Sequence, residues 1–455
     1  MKMKFLITFS LIFFVVQSNG QISFQKTYGT VNEDVGKAVA TTFDGGYIMT
    51  GTYDDTILGV IKTDNYGNIS WIRTFDFPDA ITTSIIQTSD SNYVICGSTN
   101  LSFLVFKINS FGDTIWKKTY GSGPFPLVAQ DITEDIYGNL ILAVSTEILT
   151  EVCCWPSIYK LDQFGNILWS KYYDCPTNTG CRFDDIFIDF EGNYLVTGGT
   201  PYPNEPIARL TKTDTAGNEI FNKYYFDLYV FSNCVTQEPD SGYLISGEYM
   251  NKDSVPLIKT DRNGIVESIH SYLNDTRKWN GVSIDITDQG YYISGYTLHW
   301  SRDYFLIKLD SNLDMIWSQI YGGNSDDGCN GMVSTSDGGS VMIGYTNSYG
   351  AGNKDYFLIK TDQNGLVVGL KDSDLKLKNI KIYPNPAATL ITIETPTTPE
   401  KNTLLTIYNL SGQQLFERLI SEAKTEVDVS VFPQGVYLLR VKNDKAVQIG
   451  KLIRQ

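Results

Sequence analysis

The sequence predicts an all-β protein with two unequal parts, and three observations support that prediction. A Lys-x-Asp/Asn phrase recurs seven times, from Lys62 to Lys360, at intervals of 45 to 53 residues. Turn signals containing Gly stand between these phrases, and the 455-residue chain holds 29 Tyr, 23 Phe and 39 Gly, a composition typical of short strands joined by tight turns. Repeats near 50 residues in length, each with two turn signals, predict a seven-bladed β-propeller.

The first twenty residues have the pattern of a secretory signal peptide. Lys2 and Lys4 precede an apolar run from Phe5 to Val16, and polar and small residues follow as far as Gly20. The run is too short for a membrane-spanning helix, and no later apolar run reaches about 18 residues. We therefore expect residues 1–20 to be removed and the mature chain to be exported, with no transmembrane segment.

Each repeat is predicted to form four strands. In the first repeat the strands cover residues 35–42, 47–53, 57–63 and 68–75, with turns at 44–46 and 65–67. Gly at these turns permits positive φ, and the Asp that precedes each turn can accept hydrogen bonds from the turn amides. The recurring Asp and Lys residues are therefore predicted to be structural.

One phrase is displaced from its repeat. Phe24–Gly29 (FQKTYG) matches Trp116–Gly121 (WKKTYG), yet no repeat precedes it, and residues 366–370 at the end of the seventh repeat lack the aromatic residue and the Tyr-Gly ending. We predict that residues 22–29 form the outer strand of the seventh blade and close a propeller spanning residues 21–370. The alternative is that residues 366–370 complete the blade and residues 22–29 form an isolated edge strand.

Charge and cysteine content indicate which partners to exclude and where disulfide bridges are expected. Residues 21–370 carry 22 Lys+Arg against 42 Asp+Glu, so nucleic acid is not an expected partner. Seven Cys suit an exported chain, and four of them are close in sequence, so we expect one or two bridges within this group and buried thiols elsewhere. The disulfide candidates are Cys153, Cys154, Cys175 and Cys181.

The loops that join the second and third strands lie on the same face as the connections between blades. Acidic pairs begin the inner strands of the first and last blades there, and carboxylate oxygens of this kind can bind Ca²⁺. The metal candidates are Glu33, Asp34, Asp326 and Asp327.

Aromatic residues and one His on the same loops suit sugar stacking, and these ligand-binding candidates are Tyr202, Tyr249, His299, Trp300 and Tyr349. No other cofactor is predicted.

Two functions remain open on the sequence alone. The first is a non-catalytic propeller that binds glycan or protein through its loop-rich face. The second is a carbohydrate-active enzyme that uses loop carboxylates as acid and base. Only two His occur in the chain, and no repeat carries a distinctive catalytic insertion, so we favour binding and assign no catalytic residue.

A different module follows residue 370. After a polar linker at 371–378, residues 379–455 alternate apolar runs with turn residues, which predicts a small immunoglobulin-like β-sandwich. Its motif residues are Tyr383, Pro384, Asn385 and Pro386, followed by Gly435 and Tyr437 in a Pro-x-Gly-Val-Tyr phrase.

These phrases resemble the type A carboxyl-terminal sorting domain of the type IX secretion system. The repeats, through their Asp-Gly-Gly-Tyr and Lys-x-Asp-x-x-Gly phrases, are similar to secreted β-propeller repeats of Bacteroidetes. The resemblance to the sorting domain implies transport through the periplasm and across the outer membrane, with the secretion machinery and its sortase-like enzyme as partners. It also implies release from the cell or attachment to its surface.

Overall fold

The computed structural model describes residues 22–77, 79–121, 126–146, 155–175, 181–200, 206–226, 228–250, 252–273, 277–298, 301–367, 380–395, 403–409, 414–442 and 447–455. The chain divides into two compact units, Met1–Gly369 and Leu370–Gln455. Strands form all the regular structure in the described residues, and none of these residues forms a helix long and apolar enough to cross a bilayer.

The first unit contains seven antiparallel four-stranded sheets, numbered here in chain order. Sheet 1 comprises β2 (Val35–Thr41), β3 (Tyr47–Tyr53), β4 (Ile57–Thr63) and β5 (Ile69–Phe75). Sheet 2 comprises β6 (Ile81–Gln87), β7 (Tyr93–Ser98), β8 (Phe103–Ile108) and β9 (Thr114–Tyr120). Sheet 3 comprises β10 (Leu127–Glu134), β11 (Leu140–Thr146), β12 (Ser157–Leu161) and β13 (Ile167–Tyr172). Sheet 4 comprises β14 (Arg182–Ile188), β15 (Tyr194–Gly199), β16 (Ala208–Thr213) and β17 (Glu219–Tyr225).

The remaining sheets of this unit follow the same order. Sheet 5 comprises β18 (Val230–Gln237), β19 (Tyr243–Tyr249), β20 (Val255–Thr260) and β21 (Val266–Tyr272). Sheet 6 comprises β22 (Lys278–Thr287), β23 (Gly290–Leu298), β24 (Tyr304–Leu309) and β25 (Met315–Tyr321). Sheet 7 comprises β26 (Asp327–Ser334), β27 (Ser340–Thr346), β28 (Asp355–Thr361) and, as its outer strand, β1 (Phe24–Tyr28). Among the described residues, strand pairing between sheets 5 and 6 is limited to Glu248 opposite Asn280.

The recurring Lys of each repeat lies at the end of the third strand and faces the turn between the first two strands. Lys62 Nζ lies 2.9 Å from Asp44, and Lys360 Nζ lies 2.9 Å from Asp337. Lys308 differs, because its Nζ donates to Thr287 Oγ1 at 2.8 Å and no ion pair of Lys308 occurs in the described residues. The Lys side chain therefore joins the two halves of each sheet, as expected for a structural residue.

The displaced phrase pairs with the seventh sheet. β1 runs antiparallel to β28, with Phe24 opposite Lys360 and Tyr28 opposite Tyr356. Tyr28 OH donates to Gly67 O of sheet 1 at 2.7 Å, as Tyr120 OH donates to Gly165 O between sheets 2 and 3.

The same strand packs against sheet 1 through its aromatic residue. The Phe24 ring lies so close to Gly67 that a Cβ at that Gly would be 2.6 Å from it, and the Gly has a φ of 73°. Trp71 meets Gly112 of sheet 2 in the same way. β1 thus has the pairing and contacts of a fourth strand, and the alternative that it is an isolated edge strand is wrong.

Each sheet packs against its neighbour in sequence, and sheet 7 packs against sheet 1 through contacts of β26 and β27 with β2. The order of packing is therefore cyclic. Buried apolar clusters fill the spaces between neighbouring sheets, and the cluster between sheets 7 and 1 contains Phe24, Tyr28, Met49 and Leu358.

The second unit contains two antiparallel sheets around one apolar core. One sheet comprises β29 (Lys381–Tyr383), β30 (Leu390–Glu394) and β33 (Lys424–Asp428). The other comprises β31 (Leu404–Asn409), β32 (Gln414–Leu419), β34 (Gly435–Lys442) and β35 (Val447–Arg454). Ile391, Ile407, Tyr437 and Leu439 belong to the buried cluster that both sheets share.

Candidate functional site

A cavity of about 770 Å³ lies at the centre of the first unit. Residues from the first strand of all seven sheets line it. The cyclic packing explains this arrangement, because the seven first strands surround one space. The site residues predicted from the sequence lie on the loops, so the residues of this cavity were not among them.

A β-bulge in each first strand determines which side chains reach the cavity. Wherever a first strand pairs with the second strand of its own sheet, the register shifts by one residue and leaves one residue unpaired. Such a bulge changes the direction of its side chain. The seven bulge residues all line the cavity, and six are polar: Lys37, Thr83, Gln130, Asp184, Asn233, Val282 and Asn330.

Three of the bulge residues connect neighbouring sheets around the cavity. Each donates to the backbone carbonyl just before the bulge of the next sheet. Thr83 Oγ1 donates to Ala129 O at 2.6 Å, and Asn233 Nδ2 donates to Gly281 O at 2.8 Å. Asn330 Nδ2 donates to Gly36 O at 2.7 Å and so connects sheet 7 to sheet 1.

Two carboxyl groups make a similar connection on the wall formed by sheets 3 to 5. Asp131 Oδ2 accepts from the Ile186 amide at 3.2 Å, and Asp185 Oδ2 accepts from the Val235 amide at 2.7 Å. Burial, together with the charge of the adjacent Asp131 and a hydrogen bond to it, raises the pKa of Asp185 well above its usual range. Asp185 therefore keeps its proton to a higher pH than an exposed Asp does, and the protonated carboxyl can donate a hydrogen bond to Asp131.

Asp184 stands next to this pair. Burial raises the pKa of Asp184 to about 6, although the neighbouring Arg182 acts in the opposite direction. Arg182 Nε lies 2.7 Å from Asp184 Oδ1, and its guanidinium lies 4.4 Å above the Phe231 ring. This carboxylate thus has a cation beside it.

The end of the cavity beside sheets 5 and 6 carries a second group of polar and aromatic side chains. Asn280 Nδ2 donates to Glu248 Oε2 at 2.7 Å and to Tyr296 OH at 3.0 Å, and the Arg302 guanidinium lies 5.1 Å from the Tyr296 ring. Glu248 and Tyr296 come near the ends of second strands, so this end faces the loops between second and third strands. The candidate ligand-binding residues were predicted on this same face.

The four predicted metal ligands do not form one cluster. Asp34 is fully buried and accepts from the Thr30 amide at 2.6 Å and the Asp54 amide at 2.8 Å. Asp327, also fully buried, accepts from the Gly323 amide at 2.7 Å and from the Ser348 hydroxyl at 2.7 Å.

The other two predicted metal ligands are also engaged. Glu33 pairs with Lys354 at 3.1 Å, and Asp326 accepts from the Arg302 amide at 3.0 Å. Among the described residues no group of three or more His, Cys, Asp or Glu is arranged to hold a metal ion. The expected Ca²⁺ cluster is therefore not formed, because hydrogen bonds of the loops and an ion pair occupy these carboxylates.

The predicted aromatic platform is also only partly present in the described residues. Tyr249 is 2% exposed and belongs to the apolar cluster between sheets 4 and 5, so it is a core residue. Tyr349 is half-buried, with its hydroxyl donating to Gly322 O at 2.7 Å and its ring 5.5 Å from that of Phe357. Tyr202, His299 and Trp300 lie outside the described residues.

The cysteines fall into two groups. Cys175 and Cys181 form a disulfide that precedes β14, and Cys96, Cys234 and Cys329 are free and buried. Burial raises the pKa of Cys96 and of Cys329 to about 12. Cys153 and Cys154 lie outside the described residues.

In the second unit, the motif residues connect its first and last strands. Asn385 Oδ1 accepts from the Ile453 amide at 2.9 Å, and Tyr383 OH donates to Glu394 at 3.1 Å. Tyr437 is buried against Phe432, with its hydroxyl donating to Pro433 O. These contacts give the Tyr-Pro-Asn-Pro and Gly-Val-Tyr phrases a structural role. Gly435 begins the strand that carries Tyr437.

Comparisons with known proteins agree with the assignment of the second unit. Residues 381–455 match the family of secretion system C-terminal sorting domains. No curated protein matches the chain.

Solved structures with 12% and 11% sequence identity align over most of the chain. One is PorZ, an essential bacterial surface component of the type-IX secretion system of Porphyromonas gingivalis, with a TM-score of 0.46. That match covers 94% of this chain and 60% of PorZ. The other is the extracellular domain of the one-component system BT4673 from B. thetaiotaomicron, with a TM-score of 0.35 and coverage of 92% and 69%.

The sorting domain decides the destination of the chain. A carboxyl-terminal domain of this family directs a protein to the type IX secretion machinery. The protein is therefore secreted or displayed at the cell surface.

Proposed function

We propose that the first unit is a seven-bladed β-propeller that binds an extracellular glycan in its central cavity without catalysing a reaction. One observation carries the proposal: polar side chains from all seven first strands line a cavity of about 770 Å³. That volume lies within the usual range for sites that enclose a small ligand, roughly 300–1,000 Å³.

The propeller assignment has its own support. Seven four-stranded antiparallel sheets pack in cyclic order, and β1 supplies the fourth strand of the last sheet. Radial repetition of this kind leaves only short strand edges exposed. We propose that β1 closes the ring, as the phrase it shares with Trp116–Gly121 suggests.

A glycan suits the chemistry of the cavity. Amide side chains such as Gln130 and Asn280 donate to and accept from hydroxyl groups, and the rings of Phe231 and Tyr296 provide apolar faces beside them. A binding function is favoured over the enzyme alternative, because the loop carboxylates expected to act as acid and base are held in loop hydrogen bonds. The Asp131 and Asp185 carboxyls bond to each other, whereas glycosidases separate their pair by about 5–9.5 Å.

Export follows from the second unit. We propose that a sortase-like enzyme removes the sorting domain after transport and that the propeller then acts in the medium or on the cell surface.

A glycan array probed with the mature chain tests the binding function. We expect retention of a defined set of oligosaccharides and weaker retention by Asn280→Ala, which removes an amide from the cavity. Phe43→Ala is the control, since Phe43 is 68% exposed in a turn at the opposite end of the first strands. Each retained glycan is then incubated with the protein and its products are analysed. Cleavage would support the enzyme alternative, and a blank array would refute glycan binding.

A further inference from the structure

Lys37 is the bulge residue of sheet 1 and lines the central cavity. In the described part of the chain its Nζ makes no hydrogen bond or ion pair. Burial, and to a lesser extent the nearby Lys354, lowers the pKa of Lys37. An unpaired ammonium group is unexpected here, since residues 21–370 contain 42 acidic side chains that could have neutralised it.

The acidic side chains of the cavity are already engaged. Asp131 and Asp185 bond to each other and to backbone amides of the next sheet. Asp184 has Arg182 at 2.7 Å. Glu248 pairs with Lys278, and Asp285 accepts from the Ser334 amide at 2.7 Å. These carboxyls lie on sheets 3 to 6, whereas the neighbours of sheet 1 in the cyclic order are sheets 2 and 7. The charge without a partner in the cavity is therefore positive.

The surroundings of Lys37 fit a ligand rather than a missing structural contact. The neighbouring bulge residues Thr83 and Asn330 already donate to backbone carbonyls, so they do not compete for an anion. Gln130 makes no side-chain hydrogen bond in the described residues and also lines the cavity. One ammonium and one free amide thus face the same space.

We propose that Lys37 recognises a carboxylate on the bound glycan, so that the ligand is an oligosaccharide containing a hexuronic acid. This inference rests on the proposed glycan-binding function. A carboxylate accepts short, charge-assisted hydrogen bonds from an ammonium group, and such bonds are stronger inside a cavity than in water.

The charge of the whole unit limits the length of the acidic ligand. With 22 basic and 42 acidic side chains, residues 21–370 repel a long polyanion. At physiological ionic strength the screening length is about 8 Å, so a single carboxylate in contact with Lys37 experiences mainly its immediate surroundings. The ligand is therefore a short oligosaccharide with one uronic acid at this position rather than a polyuronate.

The test uses the mature chain and two disaccharides that differ only in carrying glucuronic acid or glucose at one end. Calorimetric titration should show tighter binding of the acidic disaccharide. Lys37→Met should weaken that binding by about tenfold or more, as expected for loss of a charge-assisted bond, and should leave the neutral disaccharide unchanged. Lys37→Arg should retain the preference. Lys26→Met is the matched control, because Lys26 pairs with Asn68 at the outer edge.

Three results would overturn the inference. One is equal affinity for the two disaccharides, and a second is an acidic preference that survives Lys37→Met. The third is equal competition by acetate, which would indicate an unspecific anion site. Melting curves of every variant verify folding, and Lys37→Gln replaces Lys37→Met if the latter melts early. Failure of both disaccharides to bind also overturns the inference. The glycan array tests the proposed glycan-binding function independently, so the two failures can be distinguished.

Discussion

Replacement of Phe24 by Ala tests whether the amino-terminal strand closes the ring of sheets. Phe24 is 7% exposed, its ring lies against Gly67 of sheet 1, and its centroid is 6.1 Å from that of Tyr47. Truncating a buried Phe to Ala costs about 3–5 kcal/mol, because apolar contact is lost and a cavity remains. Phe24 belongs to the apolar cluster shared by sheets 7 and 1, so the substitution should weaken the packing between these two sheets.

The assay is thermal unfolding of the mature chain followed by circular dichroism, with limited proteolysis at temperatures below the transition. We expect Phe24→Ala to lower the melting temperature of the first unit by several degrees, at roughly 2 °C per kcal/mol for a large domain. Phe43→Ala should change it little, because exposed positions usually contribute within about 0.5 kcal/mol. Trp116→Ala, at the equivalent position between sheets 2 and 3, provides the comparison for a seam within the chain. A melt of Phe24→Ala that matches the unsubstituted chain would refute closure by β1.

Three further predictions concern buried charges and thiols. Asp185→Asn should stabilise the protein increasingly as the pH rises above about 4, measured as melting temperature between pH 4 and 9. Because the pKa of Asp185 is raised in the folded chain, the unsubstituted protein loses stability as the pH rises from about 4 through that raised pKa. Over this range the negative charge of Asp185 forms in a buried position beside Asp131. Lys212→Met should lower the free energy of unfolding, measured with denaturant, by about 3–5 kcal/mol, because it removes the cation that lies 2.7 Å from the buried Asp189. Lys308→Met is the control and should cost less than about 1 kcal/mol, because it breaks no ion pair in the described residues. Cys96 should resist iodoacetamide in the folded chain and react after unfolding, as measured by peptide mass spectrometry, because burial raises its pKa to about 12.

The sequence predicted the strands of the first sheet closely, because local turn chemistry defines their ends. The predicted strands at 47–53 and 57–63 coincide with β3 and β4, and those at 35–42 and 68–75 differ from β2 and β5 by one residue. The pairing of β1 with sheet 7 was predictable for another reason. The phrase it shares with Trp116–Gly121 encodes the contacts of an outer strand, including the Tyr hydroxyl bond to a turn carbonyl.

The loop site was predicted less well, because the partners of a loop residue depend on tertiary packing. Asp34 and Asp327 are acidic residues before a strand, and the sequence does not reveal whether such a carboxylate binds a cation or its own loop amides. The hydrogen bonds from Thr30 and Gly323 favour the loop amides. Tyr249 was misassigned for a similar reason. It lies at the end of a strand next to a loop, and contacts with the neighbouring sheet bury it.

The bulges explain why the cavity residues escaped prediction. Strict alternation along a first strand would assign Lys37 and Ala38 to opposite faces, but a bulge at Lys37 shifts the register and presents both to the cavity. One signal was present in the sequence, since a polar residue recurs at the equivalent position in six of the seven repeats. Thr83, Asn233 and Asn330 bond to the next sheet, and Asp184 pairs with Arg182. Lys37 and Gln130 make no such contact in the described residues, and of these two only Lys37 carries a charge. Because the repeated fold accounts for the bonds between sheets and not for Lys37, that residue is where a function added to the repeat is best sought.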